Sequence, residues 1–108
     1  MLTLSSCVQK SYDRTVVLML DVSGIKDIKS VGIRGNEKPF SWDYDTEMEV
    51  FKKDSLYKKT FTIKTGYLFT ELKFTVNGDF ELKEKDNRKI YFNQAGTTIY
   101  NAKFDVVK

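Results

Sequence analysis

The stretch Leu68 to Phe80, LFTELKFTVNGDF, decides the fold. Leu72, Phe74 and Val76 alternate with Glu71, Lys73 and Thr75, a period of two that puts one set on each face of a strand. Asn77-Gly78 follows this run at once, and Phe80 opens another. Both central residues of a type I′ turn need positive φ, which Asn and Gly tolerate best, so the pair predicts a two-residue β-hairpin. Lys73 is expected to point away from the core.

The same alternation recurs outward from this hairpin. Val16, Leu18, Leu20 and Val22 alternate with Val17, Met19 and Asp21 before Ser23-Gly24, and the nearly continuous apolarity predicts a central strand. A strand from about Ser30 to Arg34 ends at Gly35-Asn36. The loop that follows, NEKPFSWDYD (36–45), carries the only Pro and the only Trp of the chain. Met48 to Phe51 and Tyr57 to Ile63 are strands split by the polar turn Lys52-Lys53-Asp54-Ser55. A charged loop, Lys83 to Arg88, leads into Ile90 to Phe92. After Gln94-Ala95-Gly96, a last strand is expected from about Thr97 to Val106.

About eight short strands at roughly 8–12-residue spacing, with no helical periodicity, predict an all-β chain. The expected architecture is a single antiparallel immunoglobulin-like β-sandwich. A small closed barrel of the oligonucleotide-binding type is the competing architecture. At 108 residues the chain has room for one two-layer core. Residues 1–14 read as an N-terminal tail and 15–108 as the sandwich domain.

Composition removes several chemistries. There is no His and one Cys, which excludes Ser-His-Asp and Cys-His catalysis, His/Cys zinc sites and an intrachain disulfide. The acidic string Asp43, Asp45, Glu47, Glu49 has no internal glycine and lacks the twelve-residue calcium-loop pattern. A 108-residue sandwich offers little cleft for a glycosidase carboxylate pair, and no sequence feature supports one. No metal, no cofactor and no enzymatic activity are expected. The net charge of +3, from 18 basic and 15 acidic residues, is spread along the chain and does not point to nucleic acid.

The first residues, MLTLSSC, place Leu4, Ser5 and Ser6 before Cys7, which resembles the end of a bacterial lipoprotein signal whose cysteine becomes lipidated. The charged start and the apolar run of roughly 7–15 residues that such a signal needs are missing. Two readings stay open. In one, the chain starts inside a signal and the protein is an extracytoplasmic or cell-surface lipoprotein, attached to a membrane through Cys7 alone. In the other, Cys7 is an ordinary residue of a tail, and localisation stays open.

From about Val31 to Val106 the chain resembles the starch-binding domains of glucoamylases and the glycogen-binding domain of the AMP-activated protein kinase β subunit. The stretches that carry this are FSW (40–42), LYKKTFTI (56–63), LKFTVNGDF (72–80) and Asn87-Arg88, in the same order and spacing. The resemblance implies non-catalytic binding of an α-glucan of the starch or glycogen type. Trp42 corresponds to the first sugar-stacking ring and Lys73 to the lysine that donates to glucose hydroxyls. The second stacking tryptophan has no Trp here. Its place falls on Phe80 in the kinase-type alignment and on Leu82 in the glucoamylase-type one. QAGTTIYN (94–101) resembles the kinase-domain region whose Asn touches sugar, which makes Asn101 a further contact. Asn87-Arg88 is expected to serve as a turn and strand start outside the site. Such domains ride on an enzyme or a regulatory subunit, so a partner protein is expected beside the polysaccharide.

The chemistry agrees. A pyranose has an apolar C–H face and a rim of hydroxyls, which call for flat aromatic rings plus a few polar groups. Trp42, Lys73, Phe80 and Asn101 form such a set. Each hydroxyl gives up good bonds to water, so a contact gains only about 1 kcal/mol and dissociation constants of about micromolar to millimolar follow. The bland alternatives are equally definite. Trp42 seals one end of the core, Lys73 pairs across the sheet with Glu71 or another acid, and Phe80 packs on Phe74 or Phe92. The protein is then a structural or protein-interaction sandwich with a decayed sugar site. A third reading, a single-stranded nucleic-acid binder, draws on Lys58, Lys59, Phe61 and Lys73.

Overall fold

The computed structural model describes residues 10–107, and Cys7 lies outside them. Nine strands follow one another: β1 (Tyr12–Asp21), β2 (Val31–Gly35), β3 (Thr46–Glu47), β4 (Glu49–Lys52), β5 (Leu56–Thr65), β6 (Phe69–Val76), β7 (Asp79–Phe80), β8 (Arg88–Tyr91) and β9 (Thr98–Lys103). No helix long and apolar enough to cross a membrane occurs among the described residues.

Strand pairing divides these elements into two sheets. The first has the order β4-β5-β1-β9, and the second the order β3-β2-β6-β7 with β8 also on β6. The two pack face to face through the alternating apolar sets of their inner faces. Val16, Leu18 and Leu20 of β1 and Phe61 and Ile63 of β5 meet Ile33 of β2, Leu72 and Phe74 of β6 and Ile90 of β8. These side chains are buried, and area removed from water is the main source of stability at about 25 cal/mol per Å². Two packed sheets, and not one closed barrel, is the arrangement of the described strands.

Asn77 and Gly78 have φ of 54° and 82°, and Val76 faces Asp79 across a two-residue loop, as the type I′ reading requires. Three boundaries differ from the sequence reading. β1 starts at Tyr12, because Tyr12, Asp13 and Arg14 continue the antiparallel ladder opposite Thr65, Lys64 and Ile63; the tail therefore stops short of residue 14. The strand expected from Met48 to Phe51 is β4, shifted by one residue, and a separate short strand, β3, precedes it. β3 pairs with β2 in the second sheet, β4 pairs with β5 in the first, and the buried Met48 marks the crossing between them. β9 stops at Lys103, after which Phe104 N donates to Asp21 O and Asp105 turns at φ 65°. β9 also runs parallel to β1, so the sheets are not purely antiparallel.

The returning strand β7 is two residues long because the chain turns inward at Glu81. Its carboxylate is fully buried, accepting from Phe74 N (2.9 Å) and Asp105 N (3.0 Å) and from Arg88 Nε (2.7 Å) and Nη2 (2.8 Å). Arg88, the first residue of β8, also donates to Lys103 O, Val106 O and the Tyr100 hydroxyl. Burial alone would lower the pKa of Arg88, but the hydrogen bonds to Glu81 and Tyr100 outweigh it and raise the value. A buried ion pair with its hydrogen bonds made is tolerated, whereas one left half-made is not. This pair anchors both ends of the excursion 82–87, which rises between β7 and β8 beside β6.

Candidate functional site

The outer face of the second sheet is laid out by register. Phe80 sits opposite Thr75, Arg34 opposite Lys73 and Lys89 opposite Glu71, so all six share the face turned away from the core. Trp42, Lys73 and Phe80 line one hollow of about 370 Å³ on this face, with Lys83, Glu84 and Asn87 around its rim. The three residues singled out in sequence for sugar contact are thus brought together.

Each arrives for a local reason. In the FSW loop, Phe40 is the residue that enters the core, meeting Phe61 edge-on at 4.6 Å between ring centres. Two residues on, Trp42 is half-buried and faces the hollow, so sealing the core falls to Phe40 and not to Trp42. Phe80 is half-buried on the outer face, while Phe74 and Phe92 lie in the core. Of the two places open to the second stacking ring, Phe80 reaches the hollow; Leu82 is buried and does not line it.

Arg34 ties these pieces together, and sequence reasoning passed it over as a strand end. Its Nε donates to Asp45 Oδ1 (2.8 Å), its Nη1 donates to Trp42 O (2.8 Å), and its guanidinium lies 5.2 Å from the centre of the Phe80 ring. Asp45 can lie there because Gly32 has no side chain. A Cβ at that position would stand 2.9 Å from both Asp45 Cβ and Thr75 Oγ1. One member of the acidic string is therefore committed to an arginine.

Lys73 is half-buried, and its Nζ donates to Leu82 O and Lys85 O, each at 2.9 Å. It clamps the excursion 82–87, where Leu82 and Glu84 take positive φ, and so builds one wall of the hollow. An ammonium has three donors, and these two bonds use two of them. Glu71, its expected cross-sheet partner, accepts instead from Asn87 Nδ2 (3.1 Å). Asn87 was placed outside the site in sequence, but it lines the hollow.

Asn101 is not part of this group. β9 pairs with β1, and Asn101 is opposite Met19, on the outer face of the first sheet. It lines a separate hollow with Met19, Leu56 and Val106. The whole core separates it from Trp42. Among the described residues no cluster of three or more His, Cys, Asp or Glu side chains is arranged to hold a metal ion.

No protein-family model and no curated protein matches the chain. The site's own geometry sets two aromatic rings, two lysines, a carboxylate and an amide around an open hollow.

Proposed function

We propose that this protein is a non-catalytic carbohydrate-binding domain of immunoglobulin-like β-sandwich form, taking an α-glucan on the outer face of its second sheet. The observation that carries the reading is the shared hollow of Trp42, Lys73 and Phe80. Trp42 and the exposed part of Phe80 offer flat surfaces to the C–H faces of sugar rings, and Lys73 and Asn87 offer donors to hydroxyls. The hollow is shallow and open, which suits a chain lying across it and holds affinity in the micromolar to millimolar range, about −8 to −4 kcal/mol. Isothermal titration with maltoheptaose or β-cyclodextrin tests this. Heat of binding from the wild type, lost in Trp42→Ala, is the expected result. No heat from the wild type, or equal binding by the variant, refutes it.

A second reading, a protein-interaction sandwich whose sugar site has decayed, draws on the two backbone carbonyls that already hold the Lys73 ammonium. The two readings part on the wild type: the first requires saturable binding of maltoheptaose and the second requires none. Under the first, Lys73→Met is expected to weaken that binding by roughly threefold to tenfold.

A further inference from the structure

The outer face of the second sheet carries another aromatic pair, away from the Trp42 hollow and unused by it. Phe69 of β6 and Tyr91 of β8 are opposite one another in the ladder, with ring centres 5.2 Å apart and planes inclined by 39°. Lys89 lies two residues before Tyr91 on the same face, its Nζ 5.4 Å from the centre of the Phe69 ring. Tyr91 is 63% exposed, so its ring is open to a ligand from solvent. Its position is nonetheless fixed, since Phe92 N, the next donor along, bonds Leu68 O at 2.9 Å and Phe92 is buried in the core.

Continuity joins this pair to the first site. Between them lies a hollow of about 410 Å³ lined by Glu71, Lys85, Asp86, Asn87 and Lys89. Asn87 lines both this hollow and the one holding Trp42. Along β6 the outward residues run Thr75, Lys73, Glu71, Phe69, and with Phe80 paired to Thr75 and Tyr91 paired to Phe69 the face has an aromatic ring at each end and charged groups between. The position opposite Phe80, Thr75, and the position opposite Tyr91, Phe69, are six steps apart, about 20 Å of strand. That span outreaches a disaccharide and fits a chain of several sugar units. Lys73, Lys85 and Lys89 are offset by Glu71 and Asp86 along it, a balance that suits a neutral polymer better than a polyanion.

We infer that Phe69 and Tyr91 form a second stacking subsite for the same glycan chain, with Asn87, Glu71 and Lys89 meeting the hydroxyls between the two aromatic ends. The ligand class rests on the function proposed above; the length of the site does not. Affinity must then grow with chain length, and Tyr91 must matter only to chains long enough to reach it. Titration of maltose and maltoheptaose into wild type, Tyr91→Ala and Tyr91→Leu tests this. The leucine variant keeps bulk on the exposed strand and removes the flat ring, which separates lost stacking from lost folding. Both variants are expected to bind maltose as the wild type does and to lose roughly threefold to tenfold of the affinity for maltoheptaose. Equal maltoheptaose affinity in wild type and both variants, with binding still abolished by Trp42→Ala, overturns the second subsite and leaves the first. Absence of binding by the wild type to either sugar overturns both.

Discussion

Arg34, Gly32 and Thr75 show how much of the site is set by single residues that carry no sugar chemistry themselves. Arg34 spans Asp45, the Trp42 carbonyl and the Phe80 ring, so it ties the two aromatic residues of the hollow to each other. The Arg34–Asp45 pair is about a quarter exposed, and such pairs are worth about 1 kcal/mol or less. Arg34→Gln is therefore expected to leave thermal stability nearly unchanged and to weaken glucan binding by about 3–10-fold. A large fall in melting temperature with unchanged affinity would assign Arg34 to the fold alone. Thr75 is buried on the same face, and its hydroxyl has no hydrogen-bond partner among the described residues. An unmade bond at a buried hydroxyl costs about 1–3 kcal/mol. Thr75→Val keeps the branched shape and is expected to raise the melting temperature by about 4–8 °C for each kcal/mol recovered. A lower melting temperature would mean that the hydroxyl is satisfied. None of these roles is visible in the sequence, where Arg34 ends a strand and Thr75 is one polar position in an alternation. Their meaning depends on what the neighbouring strand and the 36–45 loop bring against them.

At the scale of elements, β6 and its Asn-Gly turn were legible because both signals are local. Period-two alternation and two positive-φ residues lie within thirteen positions. The inward turn at Glu81 was not legible, since a glutamate after a hairpin ordinarily faces water. Its burial is tolerable because Arg88 of β8 neutralises it and the amides of Phe74 and Asp105 also donate to it. Breaking one side of such a pair strands a charge and costs about 3–5 kcal/mol, a large share of the roughly 5–15 kcal/mol that holds a domain. Arg88→Met is expected to lower the unfolding free energy measured by urea titration by that much and to free the 82–87 excursion that Lys73 clamps. A change below about 1 kcal/mol would contradict the buried network. The two readings of the second stacking ring were separated by the same feature. The chain enters the interior after Phe80, so Phe80 stays on the outer face and Leu82 does not.

For the whole molecule, the strands and their inward faces could be read from alternation, but their assignment to sheets could not. Asn101 illustrates the reason. Its strand is as regular as any other, yet its place is set by parallel pairing of β9 with β1, residues more than eighty positions apart. No local pattern encodes that, and the pairing puts Asn101 behind the core from Trp42. By contrast, Trp42, Lys73 and Phe80 converge because β2, β6 and β7 are neighbours joined by short or directly paired segments. The central claim is that glucan stacks on Trp42. Because Trp42 is the only tryptophan in the chain, its fluorescence reports on this hollow alone. Titration of the wild type with maltoheptaose is expected to change the emission saturably, with the same midpoint as the heat of binding. Saturable heat without any change in Trp42 emission, or no saturation by either measure, would contradict it.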